Sequence, residues 1–360
     1  MKLMRRLLFA LALPCLAPAE DLPPLRGISR SNLLEYTADD GSTKTARTPA
    51  EWERRRQAAL AGFQQVAGPL PGPEMRCAPD PQIIEETDCG SYMRRLIHYT
   101  SQPGGSVPAY LCIPKTALNG VKAPAVLCLH PTENQIGHKV VVGLGGKPHR
   151  QYAAELAERG FVTLSPGYPL LADYQPDLKA LHMPGGTIKA VWDNLRGLDY
   201  LETLPFVETA QGFAAIGHSL GGHNAIFTAV FDDRIRVIVS SCGFDSFLDY
   251  KGGDIRGWNQ ERYMPKMADY LGRPQDLPFD FYELIACLAP RHVFVNAPLR
   301  DSNFHWQSVD RIADAALPLF RLHRAESHLQ IHHPDADHDF PDTERLASYE
   351  LIKRVLRPAR

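Results

Sequence analysis

The chain has 360 residues, enough for one large α/β domain with additions or for two smaller domains. Hydrophobic residues make up 44% of the chain and charged residues 22%, which is typical of a globular protein. A formal net charge of −2 gives no reason to expect nucleic acid or an anionic membrane surface as a partner.

The N-terminus has the pattern of an export signal. Its features are, in order, a basic start (Lys2, Arg5, Arg6), a short apolar run (7–13) and a small-x-small cleavage site (Ala17-Pro18-Ala19). Seven apolar residues are too few to span a bilayer. The pattern predicts a signal peptide over 1–19, no membrane span, and a secreted or periplasmic protein.

Export would expose the remaining cysteines to an oxidising compartment, where disulfides can form. Cys112 and Cys128 lie in apolar runs and are expected to be buried thiols. Cys77 with Cys89 is the one pair that we consider for a disulfide. Cys15 raises lipid attachment as an alternative to simple cleavage. No CxxC spacing occurs, so a structural zinc site is not expected.

The first predicted helix follows a polar, proline-rich stretch over 20–47, which is expected to form an arm on the surface. Thr48-Pro49-Ala50-Glu51 matches a capping box with proline at the first helical position. The helix should run to about Val66, before a cluster of prolines ends it. We therefore assign 20–82 to an N-terminal arm and helix, and 83–360 to the main domain.

Strands open the main domain. Three candidates joined by glycine-containing turns predict an antiparallel edge of a sheet: 83–87, 92–100 and 107–113. The next run, 123–130, is apolar almost throughout. Such a run is typical of a central parallel strand that is buried on both faces.

Helices and strands then alternate along the chain. The predicted elements are helix 149–159, strand 161–164, helix 188–198, strand 212–216, helix 222–231, strand 235–240, strand 292–296, helix 309–316 and strand 328–332. This alternation predicts an α/β fold with a mostly parallel sheet and helices on both faces. An aromatic-rich insert at about 244–290 interrupts it. The insert either packs on the surface or covers the carboxyl end of the sheet, where substrates bind in such folds.

One motif sits between a predicted strand and helix. Gly217-His218-Ser219-Leu220-Gly221 fits G-x-S-x-G, the pattern of a nucleophile elbow. A strand, a tight turn and a helix are the context that this motif needs, because the turn strains the serine backbone and pushes its hydroxyl outward. Without catalytic partners, the same pattern would be an ordinary strand-to-helix turn.

A serine needs a base to take its proton, and the base is usually a histidine. In this architecture the acid and then the histidine follow the serine along the chain. His338, after the last predicted strand, has the expected position. Three nearby histidines (His328, His332, His333) are interpreted as surface or packed residues.

The carboxylate that orients the histidine should follow the preceding strand. Asp301 lies there, and Asp245, after an earlier strand, is the alternative. Three aspartates close to His338 in sequence (Asp335, Asp337, Asp339) are interpreted as solvated or structural.

An oxyanion hole needs two backbone donors. The N–H of Leu220 is the first candidate. The second should come from the loop after strand 123–130, where Pro131 has no N–H, so Thr132 is preferred. His130 in the same loop is a candidate structural residue.

These residues carry a family resemblance. From about 83 to 355 the chain resembles the α/β-hydrolase superfamily, and within it the dienelactone-hydrolase and acetyl-xylan-esterase branch, related to the prolyl-oligopeptidase catalytic domain. The matching pieces are Leu129-His130-Pro131-Thr132, Trp192-Asp193-Asn194-Leu195-Arg196, Gly217 to Gly222, Asp301 and His338-Asp339-Phe340. The resemblance implies Ser219 as nucleophile, Asp301 as acid and His338 as base. His-Pro-Thr replaces the frequent His-Gly of the family, so the second oxyanion donor is not fixed by the resemblance.

The resulting hypothesis is a secreted serine carboxylic-ester hydrolase that acts through an acyl-enzyme, with small acyl groups on carbohydrates as substrates and no cofactor or metal. A serine peptidase on the same triad is one alternative. A metal-dependent hydrolase using the His328–His338 cluster, with its nitrogen and oxygen ligands, is another. A non-catalytic binding protein on the same scaffold would have a dispensable Ser219. The sequence does not indicate the oligomeric state.

Overall fold

The computed structural model describes residues 29–357, and the predicted signal peptide and Cys15 lie outside them. The described strands are β1 (Glu35–Thr37), β2 (Thr43–Thr45), β3 (Gln82–Asp88), β4 (Tyr92–Gln102), β5 (Gly105–Pro114), β6 (Ala123–Leu129), β7 (Val162–Pro166), β8 (Val207–Glu208), β9 (Phe213–His218), β10 (Ile235–Ser241), β11 (His292–Asn296) and β12 (Leu329–His332). The described α-helices are α1 (Pro49–Ala67), α2 (Lys115–Leu118), α3 (Tyr152–Glu158), α4 (Gly186–Thr203), α5 (Leu220–Ala229), α6 (Phe281–Ala286), α7 (Trp306–Leu322) and α8 (Asp342–Leu356).

A ten-stranded sheet forms the centre of the molecule. Its strand order is β12-β11-β10-β9-β6-β7-β5-β4-β3, and the short β8 pairs with β6. The strands β6 to β12 pair parallel with one another, whereas β3, β4 and β5 pair antiparallel along one edge and β5 joins β7 antiparallel. This confirms the predicted fold class, including the antiparallel N-terminal edge.

The central strands are buried because helices cover both faces of the sheet. Every residue of β6 and of β9 is buried, as their continuous small and apolar sequences predict. One apolar core lies on the side of α1, α4 and α5, and a second lies on the side of α3 and α8. Helix α8 was not predicted. None of the helices in the described part combines the length and the apolar character that crossing a membrane would require.

The segment before the sheet is more ordered than the predicted surface arm. The capping box of α1 is confirmed, since the Thr48 hydroxyl accepts from the Glu51 N–H and the Glu51 carboxylate accepts from the Thr48 N–H. Ahead of it, β1 and β2 form a small antiparallel pair. The indole of Trp52 donates to the Leu33 carbonyl at 2.8 Å, so this pair is tied to α1.

Arg55 of α1 connects this segment to the aromatic-rich insert. Its buried guanidinium donates to Glu283 of α6 at 3.0 Å and also to the carbonyls of Asn32 and Glu35. Within the insert the chain forms α6 and several short 3-10 turns, and the described structure has no strand there. Its rings pack together, with Trp258 edge-on to Phe247 at 5.2 Å.

Gly221 lets the elbow helix approach the sheet. A Cβ at this position would overlap the backbone carbonyl of Leu129, the last residue of β6. We expect Gly221→Ala to cost more than about 3 kcal/mol of unfolding free energy, or to prevent folding, because neither backbone can give way. Denaturant unfolding measures this. Gly90→Ala is the control, since Gly90 has φ 83° but open space around it, and it should cost only about 1–2 kcal/mol. Equal costs would mean that the close approach is unimportant.

Candidate active site

The loops that carry the predicted site residues meet at one edge of the sheet. They follow β6, β9, β10, β11 and β12, all of which are parallel, so their carboxyl ends lie on the same side. This edge is where ligands bind in open α/β sheets. The residues that the topology brings to it are His130, Thr132, Ser219, Asp245, Asp301 and His338.

Ser219 occupies a strained turn between β9 and α5. Its φ of 55° and ψ of −118° lie in a region that residues with a Cβ rarely adopt. The strain is held by backbone hydrogen bonds. The Ser219 N–H donates to the Ser241 carbonyl at 2.8 Å, and the Ser219 carbonyl accepts from Gly222 and His223 in the first turn of α5. Its side chain remains partly exposed. Ser219 therefore combines the strained backbone, the strand-to-helix position and the exposure that are typical of a nucleophile elbow.

His338 and Asp301 form a direct hydrogen bond. The Nδ1 of His338 lies 2.9 Å from both carboxylate oxygens of Asp301, although 37 residues separate them in sequence. Asp301 is further fixed by the N–H groups of Asn303 and Phe304, which donate to its Oδ1 at 2.8 and 3.2 Å. The imidazole is therefore held with Nδ1–H toward the acid, which leaves Nε2 as the atom that can accept a proton.

The charge on Asp301 is stabilised despite its burial. Burial raises the pKa of this carboxyl, but the hydrogen bond and charge of His338 and the two backbone donors outweigh it, so the net pKa lies below its ordinary value. The carboxylate is thus ionised at neutral pH, as the orienting acid of a triad must be.

Asp245, the alternative acid, has a different environment. Its Oδ2 accepts from the N–H of His305 at 3.1 Å, at the start of α7, and its buried Oδ1 has no partner. Burial raises the pKa of Asp245 to about 8; the His305 N–H opposes this rise, and the nearby Asp249, Asp280 and Asp301 add to it. The group is therefore neutral at pH 7 and makes no hydrogen bond to His338.

Asp245 should make the protein less stable as pH rises. Its pKa is higher in the folded than in the unfolded chain, so its contribution is fully present below about pH 4 and is lost as pH rises to about 8. Asp245→Asn mimics the neutral acid and does not titrate. We expect the Tm of the variant minus the Tm of the parent to increase by at least about 2 °C from pH 5 to pH 8. Thermal unfolding at both pH values measures this, and a constant difference would contradict it.

A row of polar side chains supports the site from the sheet. The register aligns His218 with Ser241 and Ser241 with Asn296 at the ends of neighbouring strands. His218 Nδ1 lies 3.0 Å from Ser241 Oγ, and the amide of Asn296 donates to Ser241 Oγ at 2.8 Å and to the Asp339 carbonyl at 2.9 Å. Because Asp339 directly follows His338, this row fixes the backbone that carries the imidazole.

The side chain of Asp339 adds a second anchor to the same loop. It accepts from the buried Arg150 at 2.5 Å and from His149 at 2.9 Å, and Arg150 also donates to the His338 carbonyl. Asp339 thus has a structural role, which is one of the two roles, solvated or structural, that its position in the sequence suggested. Asp335 and Asp337 are exposed and pair with Arg300.

Cys242 is a site neighbour that the sequence analysis did not identify. Its Sγ lies 3.2 Å from the Asp339 carbonyl, and its sulfur, an Asp301 oxygen and an imidazole nitrogen of His338 all lie within 4.8 Å of one another. Only the strand register and the loop path bring it there, so no local motif marks it. Burial raises the pKa of the Cys242 thiol, which keeps it protonated. The pair considered for a disulfide, Cys77 and Cys89, consists of two free thiols.

The loop after β6 begins next to the elbow, since the carbonyls of Leu129 and His130 lie against Gly221. Burial lowers the pKa of His130 to about 4, so its ring is neutral. Its Nδ1 lies 2.7 Å from the Pro131 carbonyl, and its Nε2 accepts from the Tyr168 N–H at 2.9 Å. His130 thus fastens this loop to the one after β7. The hydroxyl of Thr132 lies 3.3 Å from that of Tyr263 in the insert. Leu220 begins α5, where backbone N–H groups have no partner within the helix.

The other histidines near the C-terminus do not converge with His338. His328 Nδ1 bonds the Pro290 carbonyl at 2.6 Å, and the ring of His332 stacks on Phe294. His333 lies between the Ala297 carbonyl and Asp310. Within residues 29–357 there is one cluster of three possible metal ligands, formed by Cys242, Asp301 and His338. His338 is the only residue of the His328–His338 segment that belongs to it.

Comparisons with known proteins agree with this architecture. A glucuronoyl esterase from Solibacter usitatus superposes with a TM-score of 0.71 at 18% identity, covering 93% of this chain and 99% of that one. A carbohydrate esterase family 15 glucuronoyl esterase from Caldicellulosiruptor kristjansonii gives 0.65 at 16% identity, covering 91% of both chains. No family model matches the chain.

One curated protein is similar over part of the sequence. It is "Putative hydrolase YtaP" of Bacillus subtilis, 28% identical over 123 residues, which are 34% of this chain. The match spans 38% of the length of that protein. At these identities the structural comparisons establish the fold, and the chain has the α/β-hydrolase fold.

Proposed function

We propose that this protein is a serine carboxylic-ester hydrolase in which Ser219, His338 and Asp301 act as nucleophile, base and acid. The observation that carries the proposal is the bond from His338 Nδ1 to a buried, ionised Asp301, on the loop edge that also presents Ser219 in a strained elbow. An imidazole held by a carboxylate, with a partly exposed serine at the same edge of the sheet, is the arrangement that can activate a hydroxyl for acyl transfer.

The proposed reaction has two halves. The Ser219 hydroxyl attacks the ester carbonyl while Nε2 of His338 takes its proton, and the imidazolium then protonates the leaving alcohol. Water, activated by the same Nε2, hydrolyses the acyl-enzyme. Backbone N–H groups of Leu220 and Thr132 are the proposed donors to the oxyanion, since Leu220 follows Ser219 directly and the end of β6 that leads to Thr132 lies against Gly221. Asp301 stays ionised and stabilises the positive imidazolium.

Carbohydrate esters are the proposed substrates. The support is the likeness to proteins named as glucuronoyl esterases and the resemblance of the motifs to acetyl-xylan esterases. These imply two kinds of ester, one with a sugar acid as the acyl group and one with acetate on a sugar hydroxyl. Residues 1–19 have the pattern of an export signal, with a basic start, an apolar run and a small-x-small cleavage site. This pattern supports the proposal that the protein acts outside the cytoplasm.

A substrate panel tests this function. The purified protein should hydrolyse p-nitrophenyl acetate, and its kcat/KM on acetylated xylan or on a methyl ester of glucuronic acid should exceed that on a peptide anilide by about 100-fold or more, since a site selects substrates through differences of several kcal/mol. A preference for the anilide would favour the peptidase alternative. EDTA should not lower the ester rate. Loss on chelation, restored by zinc or manganese, would favour the metal-dependent alternative.

A further inference from the structure

The thiol of Cys242 makes the Asp301–His338 pair into a three-ligand cluster. One sulfur, one carboxylate oxygen and one imidazole nitrogen lie within 4.8 Å of one another, and only 2% of Cys242 is exposed. Across residues 29–357 no other set of three such ligands lies close enough to share an ion. The thiol donates a hydrogen bond to the Asp339 carbonyl, but the proposed hydrolysis uses no sulfur, so the triad does not explain why a cysteine stands here.

The donor set selects a class of cation. Calcium and magnesium prefer oxygen ligands alone, whereas a thiolate with an imidazole and a carboxylate suits Zn²⁺ and similar thiophilic divalent ions. We propose that Cys242, Asp301 and His338 form an inhibitory site for a thiophilic divalent cation such as Zn²⁺, and that its occupancy switches the hydrolase off. The regulatory part of this proposal rests on the proposed function; the binding part does not.

The distances are compatible with such an ion. Zinc binds sulfur at about 2.3 Å and nitrogen or carboxylate oxygen at about 2.0–2.2 Å, so tetrahedral ligands lie about 3.5 Å apart. The His338 and Asp301 atoms are already 2.9 Å apart. The sulfur would have to approach by at most about 1.3 Å, the difference between that ideal spacing and the 4.8 Å limit of the cluster. The His338 side chain is 29% exposed, which gives an ion access from solvent.

Inhibition follows from the protonation state of the imidazole. A metal on Nδ1 of His338 displaces the proton that this atom donates to Asp301, and the neutral ring then carries its proton on Nε2. Nε2–H cannot take the proton of Ser219, so the base is lost. The thiol proton of Cys242 leaves to solvent as the sulfur–metal bond forms, and the net release is one proton per ion.

Cobalt binding tests the site without relying on activity. Co²⁺ added to the full protein should produce a sulfur-to-cobalt charge-transfer absorption band. The band should be absent in Cys242→Ser and retained in Cys287→Ser, which removes another buried thiol, and in Ser219→Ala. Circular dichroism checks the fold of each variant. Asp301→Asn provides a second test by removing the carboxylate, and it should weaken cobalt binding. A band that survives in Cys242→Ser, or no band in the parent, would overturn the proposal.

Zinc inhibition tests the consequence. Each variant is compared with its own zinc-free rate on p-nitrophenyl acetate. Loss of an outer partner of a metal ligand already costs about 10–100-fold in affinity, so Cys242→Ser should need at least about tenfold more Zn²⁺ for half inhibition than the parent or Cys287→Ser. Equal inhibition of all three proteins would overturn the switch. A protein that binds cobalt through Cys242 but hydrolyses no ester would contradict the proposed function and leave the metal site standing.

Discussion

Replacing Ser219 with alanine is expected to lower ester hydrolysis by about 10⁴-fold or more and to leave the fold intact. The hydroxyl supplies the nucleophile, and its partly exposed position means that its loss opens no cavity in the core. The rate on p-nitrophenyl acetate and the circular dichroism spectrum measure the two halves of this prediction. A fluorophosphonate probe should label the parent protein at Ser219 only.

The control is Ser302→Ala, which removes an exposed hydroxyl from the loop that also carries Asp301. Its rate should stay within about twofold of the parent, because surface substitutions away from reacting groups have small effects. Near-native turnover by Ser219→Ala would contradict the serine mechanism. Labelling at another residue would mean that the nucleophile is that residue and not Ser219.

Asp301→Asn should lower kcat by about 10³- to 10⁴-fold with little change in KM. The asparagine amide would present a donor to Nδ1 of His338, which favours the tautomer with its proton on Nε2 and so removes the base. Asp245→Asn is the matched variant, since it makes the same change at the other candidate carboxyl. It should cost less than about tenfold, because Asp245 is neutral and bonds the His305 N–H instead of the imidazole.

Both variants are assayed on one activated ester, with circular dichroism to check folding. If Asp245→Asn loses its activity and Asp301→Asn keeps it, the assignment of the acid is wrong, although the proposed roles of Ser219 and His338 would remain. Loss of activity in both variants with intact folds would mean that the two carboxyls act together.

Much of the fold could be predicted because buried parallel strands have a strong sequence pattern. Strands such as β6 and β11 are short apolar runs between turn residues, and the observed bounds of β11 match the prediction. The pair β1 and β2 was missed because three-residue strands without a buried residue have no apolar periodicity. Helix α8 had usable signals, with Asp342 and Glu344 in its first turn and basic residues in its last, but no apolar run drew attention to it.

The residues of the site also fall into those that the sequence could predict and those that it could not. Ser219 lies in a local motif, and His338 and Asp301 follow strands in the chain order typical of this fold, so their proximity could be expected. The supporting groups could not be found in this way. Asn296 reaches the Asp339 carbonyl across 43 residues, and Arg150 reaches the Asp339 carboxylate across 189. Such contacts depend on strand register and loop path, which a single sequence does not encode in any short pattern.

The buried pair of Arg55 and Glu283 bears on how the protein can be dissected. Both side chains are almost fully enclosed, and Glu283 also accepts from the Asp280 N–H in the capping box of α6. An expression fragment that began at residue 83 would remove both cations near Glu283, Arg55 and Arg30, and would expose the apolar core that Phe63 of α1 covers, where it packs on Phe227 and Phe279. The boundary at residue 83 is therefore a poor place to cut, and the N-terminal helix belongs to the smallest unit that should be purified for crystallisation.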